Sequence, residues 1–193
     1  MRIAVSGSHS VGKSTVVADF KNAHGEYIRE EEPYRALCEF YPIKFGKAST
    51  RYCNGIQLYY NISRVLSYQT EAEAVIFDRS PVDYIAYSLY TANYHETDID
   101  DGFVEGMIEP VRAVLQNIDL LVYVPISERH PVELEDDGIR LTNQAYRTEV
   151  DDIFKRIYRE ALFDVMPRQN APTLIEVWGP REQRLEQTRS YLK

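Results

Sequence analysis

The sequence predicts a doubly wound α/β fold, in which helices cover both faces of a parallel β-sheet. Short apolar, β-branched runs alternate along the chain with longer segments of helical periodicity. These runs lack the alternation of apolar and polar residues seen in half-exposed strands, which is typical of parallel strands buried on both faces. A glycine-rich loop at residues 7–15 joins the first run to the first helical segment, and this context favours the same fold.

The composition predicts one domain over residues 1–193. Of the 193 residues, 44% are apolar, enough for one compact core. The net charge of −8 provides no positive surface for a nucleic-acid backbone or an anionic membrane, so neither partner is expected. The sequence shows no signal-peptide core and no long apolar span, and its two cysteines lack metal-ligand spacing. We therefore expect a cytoplasmic protein without a membrane segment.

The candidate site follows from where the strands end. Ligands on doubly wound sheets bind beyond the carboxyl ends of the strands, so the residues just after each strand are the candidates. The five predicted strands lie at residues 2–6, 26–29, 74–77, 119–124 and 173–178.

Helical periodicity fills the intervals between these strands. The stretch Ser80-Pro81-Val82-Asp83 is typical of a helix start, with an N-cap, a first-turn proline and a capping-box acid. The first helix should end at a left-handed Gly25, and the acidic stretches 94–103 and 126–140 are expected to be mobile. Further helices are predicted at 54–72, at 103–117 with a kink at Pro110, at 142–166 before Pro167, and after Pro180.

The glycine-rich loop matches GxxxxGK(S/T), the phosphate-binding P-loop motif. Its backbone N–H groups can point at phosphate oxygens, and the following helix N-terminus adds partial positive charge. We expect a nucleoside triphosphate here, with Lys13 on its β and γ phosphates and Ser14 on Mg²⁺. Thr15 either contacts phosphate or is a helix-start hydroxyl, and the alternative for His9 is a solvent-facing side chain. The predicted nucleotide-binding residues are Gly7, Ser8, His9, Ser10, Val11, Gly12, Lys13, Ser14 and Thr15.

Two charged residues follow the third strand. Asp78 is placed to reach the Mg²⁺ shell or a substrate hydroxyl, with a turn acid as the alternative. Arg79 can clamp phosphate oxygens through two hydrogen bonds, or else forms a surface ion pair.

Three glutamates follow the second strand. Glu30 and Glu31 are expected on a solvated face, as is usual for an acidic run. Glu32 is the candidate general base, because neighbouring carboxylates and partial burial would raise its proton affinity.

One stripe of the helix at 54–72 is polar and aromatic. Gln57, Tyr60, Asn61 and Arg64 lie at i, i+3, i+4 and i+7, and therefore on one face. An amide, an aromatic ring and a guanidinium could read and stack on a nucleobase, while a solvent-facing stripe is the alternative. Tyr34 and Tyr60 are the tyrosines expected to touch substrate.

Together these motifs resemble the P-loop nucleoside and nucleotide kinases, especially deoxyribonucleoside kinases and the AAA-type ATPase/kinase group related to ribosylnicotinamide kinase domains. The resemblance covers most of the chain. It rests on Glu32-Pro33, on IQLYYNISR (56–64), on Asp78-Arg79-Ser80 and on SPVDYIAYS (80–88). It implies a five-stranded sheet of order 2-3-1-4-5, proton abstraction from a sugar 5′-hydroxyl by Glu32, and base recognition by Gln57 and Arg64.

The resemblance also implies a lid and an adenine contact. The lid would lie at 126–147, where Arg140 and Arg147, with Arg129 as a weaker candidate, would neutralise the transferring phosphoryl group. Gly179 lies where related kinases wrap adenine with backbone, or else it simply precedes a helix. The chain departs from deoxyribonucleoside kinases in having Asp78 instead of glutamate, in its shorter length and in the spacing of its lid arginines.

The resulting hypothesis is an ATP- and Mg²⁺-dependent kinase acting on a small nucleoside- or nucleotide-like acceptor. Either Glu32 or Asp78 would be the base, the donor is ATP or GTP, and a homodimer is left open. A polynucleotide 5′-kinase and a regulatory nucleotide-binding ATPase without an acceptor are the alternatives. The expected catalytic residues are Lys13, Glu32, Asp78, Arg79, Arg140 and Arg147.

Overall fold

The fold is built on one five-stranded, all-parallel sheet of order β2-β3-β1-β4-β5, which confirms the predicted fold class and strand order. The computed structural model describes residues 1–68, 73–131 and 144–192, and the statements below concern these residues. The strands are β1 (Arg2–Ser6), β2 (Ile28–Glu30), β3 (Val75–Asp78), β4 (Leu120–Tyr123) and β5 (Thr173–Glu176).

Helices cover both faces of the sheet. In the described residues they are α1 (Lys13–Ala23), α2 (Pro33–Leu37), α3 (Arg51–Ser67), α4 (Pro81–Ala92), α5 (Asp101–Leu115), α6 (Gln144–Arg159) and α7 (Arg181–Arg189), with 3-10 turns at Gly46–Ala48 and Leu162–Asp164. None of the described helices is long and apolar enough to cross a membrane.

The central strand shows why the strands lack polar alternation. Ile3 and Val5 pack into one apolar core with α1, whereas Ala4 packs into the other core with α4. All three side chains are fully buried. Full burial of an aliphatic side chain contributes about 1.5–3 kcal/mol, so a sheet covered on both faces favours apolar residues at every position.

Side-chain caps set the starts of three helices. Thr50 accepts from the backbone N–H of Cys53 and starts α3 before the predicted residue 54. Ser80 caps α4 by accepting from the N–H of Val82 at 3.1 Å, as predicted. Asp100 caps α5, which continues through Pro110.

Arg51 binds Asp98 and Asp100, so the stretch predicted to be mobile at 94–103 is held against α3.

Three local predictions are wrong. Gly25 is not a left-handed cap, because α1 ends at His24 with φ −128°. Asp83 is not a capping-box acid, because its carboxylate binds Ser6 and Arg79. The sixth helix ends at Arg159 and not at residue 166.

The early end of α6 has a packing cause. Ala161 and Phe163 take left-handed conformations just after it, with φ 54° and 66°. Arg112 of α5 donates to the carbonyl oxygens of Phe163 and Asp164 and holds this turn. The predicted helical residues 69–72 and the lid residues 132–143, Arg140 included, lie outside the described residues.

Candidate active site

The glycine-rich loop turns tightly between β1 and α1. Gly7 has φ +142°, and a Cβ there would lie 2.6 Å from the carbonyl oxygen of Val124. Gly12 is left-handed, with φ +89°, and is the N-cap of α1. Both positions therefore require glycine, and the loop backbone packs directly against the end of β4.

The loop holds its lysine inward. Lys13 is 4% exposed, and its Nζ donates to the backbone oxygen of Ser8. Ser14 and Thr15 lie half-buried in the first turn of α1. The side chain of His9 is buried and stacks on the ring of Tyr146, with ring centroids 4.6 Å apart, so the solvent-facing alternative for His9 is wrong.

Arg184 of α7 hydrogen-bonds to the backbone of this loop. Its Nη1 donates to the carbonyl oxygen of Val11 at 2.8 Å, and its Nε to that of Gly179 at 2.7 Å. Burial lowers the pKa of this guanidinium. Gly179 has φ +93° and lies against the side chain of Gln183, which explains the glycine. Arg184 was not among the predicted site residues, because no local sequence signal links a helix near the C-terminus to a loop near the N-terminus.

Asp78 ends β3 with a carboxylate that lacks a hydrogen-bond partner. It is 1% exposed, and neither of its oxygens has a hydrogen-bond partner in the described part of the chain. The Nη2 of Arg29 lies 3.9 Å from Oδ2 of Asp78. A buried carboxylate without a donor is costly, and carboxylate oxygens are preferred Mg²⁺ ligands. The residues present therefore fit a magnesium ion at this strand end.

Arg79 organises the neighbouring acids. Its Nε and Nη2 donate to Oε1 of Glu32 at 2.9 and 2.6 Å, and its Nη1 donates to Oδ2 of Asp83 at 3.2 Å. All three residues are at least 95% buried. Arg79 also has a φ of 122°, unusual for a residue other than glycine. Such strain costs about 1–3 kcal/mol and is often found at functional sites.

Asp83 anchors this network to the sheet. Its Oδ1 accepts from the hydroxyl of Ser6 at 2.5 Å, and that hydroxyl lies 2.6 Å from the hydroxyl of Tyr158 on α6. Burial raises the pKa of Asp83, while the charges of Arg79 and Lys13 oppose the shift. One signal could have revealed this acid: Asp83 follows Arg79 by four residues in a helix start that is otherwise apolar.

A cleft opens beside Glu32 and Arg79. The empty space between its walls, counted out to the open mouth, is about 560 Å³. Its floor and walls come from the glycine-rich loop and from α3, α4 and α6. The lining residues are His9, Glu32, Phe45, Gly46, Ser49, Asn54, Gln57, Arg79, Tyr84, Tyr87, Thr91 and Tyr146.

The polar stripe of α3 divides between two locations. Gln57 lines the cleft, and its Nε2 donates to the carbonyl of Cys53. The Nδ2 of Asn61 donates to the carbonyl of Arg79. Tyr60 is half-buried and outside the cleft lining. Arg64 is also outside the lining, and it forms an ion pair with Glu30 at 2.5 Å. Seven residues of helix advance about 10 Å, which carries Arg64 away from Gln57.

The three glutamates face different surroundings. Glu30 accepts from Arg64 and from Tyr68, so its expected solvated position is wrong. Glu31 is exposed, and Glu32 is bound by Arg79. The group that binds Glu32 is therefore the guanidinium of Arg79, whereas Glu30 is bound by Arg64 and Tyr68.

The remaining predicted residues are not among those that line the cleft. Tyr34 packs against Phe45, which lines the cleft, with ring centroids 4.8 Å apart. Arg147 is 5% exposed and follows Tyr146, a cleft residue; burial lowers its pKa, opposed by Asp151. Arg129 is exposed.

Several proteins of known structure share the fold of this chain. A search of curated proteins found no match. Deoxyadenosine kinase from M. mycoides superimposes with a TM-score of 0.70 at 16% identity, covering 98% of this chain and 97% of the kinase. A NadR protein in complex with NR gives 0.65 at 16% identity, covering 98% of this chain and 50% of NadR. Thymidylate kinase from Candida albicans gives a TM-score of 0.64 at 14% identity, covering 97% of this chain and 88% of the thymidylate kinase.

These likenesses confirm at the level of the fold the predicted resemblance to P-loop nucleoside and nucleotide kinases. The family model described as "AAA domain" matches residues 2–172. This span takes in every strand but β5, together with the glycine-rich loop and the cleft. The chain therefore belongs to the AAA domain family.

Proposed function

We propose that this protein is an ATP- and Mg²⁺-dependent kinase that transfers the γ-phosphoryl group to a hydroxyl of a small nucleoside-like acceptor. One observation carries the proposal: Arg79 joins the cleft to the glycine-rich loop. It donates to Glu32 in the cleft and, through Nη1, to the carbonyl of Gly7 at 3.4 Å. An acceptor beside Glu32 would therefore lie next to the phosphate end of a bound nucleotide.

The donor side uses the loop and its helix. Loop N–H groups and the α1 N-terminus would bind the phosphates, and Lys13 would neutralise charge on the β and γ phosphates. Ser14 and Asp78 would hold Mg²⁺, which supplies further charge neutralisation when bound. Support for the cation comes from the buried Asp78 carboxylate, which has no hydrogen bond in the described residues.

The acceptor side uses Glu32. As the acceptor oxygen bonds to the γ-phosphorus, its proton passes to the Glu32 carboxylate, and the bond from that phosphorus to the β–γ bridging oxygen breaks to leave ADP. Glu32 is favoured over Asp78 as the base, because Glu32 lines the cleft and Asp78 does not. Arg79 keeps the Glu32 carboxylate oriented, and Arg147 at the start of α6, with the predicted lid residue Arg140, would add positive charge.

The proteins of similar fold lend weight to a nucleoside-like acceptor. The M. mycoides deoxyadenosine kinase was solved with dCMP and dCDP bound, and NadR with NR. In this chain the cleft is lined by aromatic rings and amides, including Tyr84, Tyr87 and Gln57. Such a lining suits a heteroaromatic ring. Its enclosure on several sides favours a small acceptor over a polynucleotide.

The test is ADP release from ATP with a panel of nucleosides, mononucleotides, ribosylnicotinamide and 5′-hydroxyl oligonucleotides. At least one small acceptor should stimulate release by the wild-type protein, and Lys13→Ala should abolish it. Glu32→Gln should lower kcat by about 10²–10⁴ with ATP still bound. Glu31→Gln, which changes an exposed neighbour, is the matched control.

Two results would contradict the proposal. Tight nucleotide binding without stimulation by any acceptor would indicate a regulatory ATPase, and stimulation by oligonucleotides alone would indicate a polynucleotide 5′-kinase. Wild-type turnover by Glu32→Gln would remove Glu32 as the base while leaving the kinase assignment intact.

A further inference from the structure

Tyr84 lines the cleft, and its hydroxyl has no hydrogen bond in the described residues. The residue lies on α4 and is 4% exposed. Its hydroxyl is buried without a hydrogen-bond partner in the described parts of the chain. Buried tyrosine hydroxyls usually have such a partner, and leaving one unsatisfied destabilises the fold. This hydroxyl therefore differs from those that serve only the fold.

Neighbouring polar groups of the cleft already form hydrogen bonds within the protein. The hydroxyl of Tyr87 accepts from Arg79 at 3.1 Å. The side chain of Asn54 accepts from Ser49 and donates to Ser88. These groups shape the wall, whereas the Tyr84 hydroxyl keeps both its donor and its acceptor capacity.

The charges around Tyr84 indicate what it can bind. Glu32, Asp83 and Arg79 are its charged neighbours, and burial raises the pKa of the Tyr84 phenol well above its usual value. The hydroxyl therefore stays protonated at neutral pH. Because the guanidinium of Arg79 already binds both carboxylates, this corner of the cleft favours an uncharged polar group over a further anion.

We infer that the Tyr84 hydroxyl hydrogen-bonds an uncharged polar group of the nucleoside-like acceptor and so determines which acceptors bind. This inference rests on the proposed function. The group is either a sugar hydroxyl or a carbonyl or amino group on the base edge. Both are hydrogen-bonding groups without charge, and acceptor analogues can distinguish them.

The experiment compares Tyr84→Phe with Tyr90→Phe, which changes a buried tyrosine of the same helix outside the cleft lining. The ring of Tyr90 packs against the ring of Tyr94, with centroids 5.0 Å apart, and the two hydroxyls interact. For each variant we would measure the thermal midpoint, the Kd for ATP, and the Kd and KM for the acceptor that the panel identifies. Binding is measured by calorimetry, so it does not depend on turnover.

We expect opposite responses from the two variants. Tyr84→Phe should retain or raise the thermal midpoint, keep the Kd for ATP, and weaken acceptor binding by about two- to tenfold, the range for one net hydrogen bond. Tyr90→Phe should lower the midpoint and leave acceptor binding unchanged. The same measurements with 2′-deoxy, 3′-deoxy and base-edge analogues of the acceptor identify the group that the Tyr84 hydroxyl contacts. The analogue that lacks this group should bind the wild-type protein and Tyr84→Phe with equal affinity.

The possible failures are distinguishable. If the wild-type protein binds an acceptor and Tyr84→Phe binds it equally well, the inference is wrong and the proposed function stands. A lowered midpoint in Tyr84→Phe with unchanged acceptor affinity would assign the hydroxyl to the fold and would also overturn the inference. If no panel member binds the wild-type protein, the proposed function fails and the inference fails with it.

Discussion

At the scale of single residues, Asp78 shows how position alone sets chemistry. Its carboxylate is buried at the end of β3, with Arg29 at 3.9 Å and no hydrogen bond in the described residues. In the folded protein this charge is a cost, since it has lost water without gaining a donor. Such a cost is expected where a ligand completes the site, and Mg²⁺ is the ligand that we propose.

The corresponding prediction concerns Asp78→Asn. Removing the buried charge should leave the free energy of unfolding unchanged or raise it by about 1–3 kcal/mol, while the Mg²⁺-dependent gain in ATP affinity is lost. Calorimetry of ATP binding with and without Mg²⁺, together with urea unfolding, measures both effects. Asp101→Asn, at an exposed acid of α5, is the control. A full Mg²⁺ effect in Asp78→Asn would show that Asp78 does not hold the metal.

At the scale of elements, α7 reaches across the molecule to the glycine-rich loop. Arg184 is 8% exposed and donates to the carbonyls of Val11 and Gly179. No carboxylate of the described residues lies within ion-pair distance of its guanidinium. Its charge therefore stays beside the loop and adds to the positive potential that a triphosphate would meet.

We predict that Arg184→Met loosens the loop. Each buried carbonyl left without a donor costs about 1–3 kcal/mol, so the thermal midpoint should fall and the Kd for ADP should rise about tenfold or more. Arg184→Lys should recover part of the affinity, because it restores the charge and one donor. Arg181→Met, which removes an exposed ion pair with Asp19 on the same helix, is the control. Unchanged ADP affinity in Arg184→Met would contradict the prediction.

At the scale of the whole molecule, ion pairs tie peripheral segments to the sheet. Glu30 joins β2 to α3 through Arg64, and Asp119 joins the start of β4 to Arg2 of β1. Burial alone raises the pKa of each carboxyl, but hydrogen bonds from Arg64 and Tyr68 to Glu30, and from Arg2 to Asp119, lower both pKa values below their usual range.

The sign of the pH dependence follows from these pKa values. With a folded pKa below the unfolded value, the folded state binds fewer protons. The stabilisation from Glu30 is therefore complete above the ordinary pKa of 4.5 and is lost as the pH falls through the folded pKa. We predict that Glu30→Gln lowers stability at pH 7 and flattens the loss of stability in acid. Urea unfolding from pH 7 to pH 3 measures this, with Glu31→Gln as control; identical curves for wild type and Glu30→Gln would contradict it.

Much of the fold could be predicted because its signals are local. The five apolar runs, the Ser80 cap and the glycine-rich loop are contiguous stretches, and their periodicity or spacing reports on structure formed within a few residues. Strand positions were predicted to within two residues at either end. Strand order came from the family resemblance, since periodicity contains no information about which strands are neighbours.

The sequence by itself determined the nucleotide-binding loop, the parallel sheet and the placement of Glu32, Asp78 and Arg79 at strand ends. Only the tertiary structure decided which groups face one another. It pairs Arg64 with Glu30 and Asp83 with Arg79, places Tyr84 in the wall of the cleft, and brings Arg184 to the carbonyl of Val11 in the loop. The physical reason is that side-chain direction depends on register and helix rotation, and the free energy of a buried polar group depends on partners that are distant in sequence.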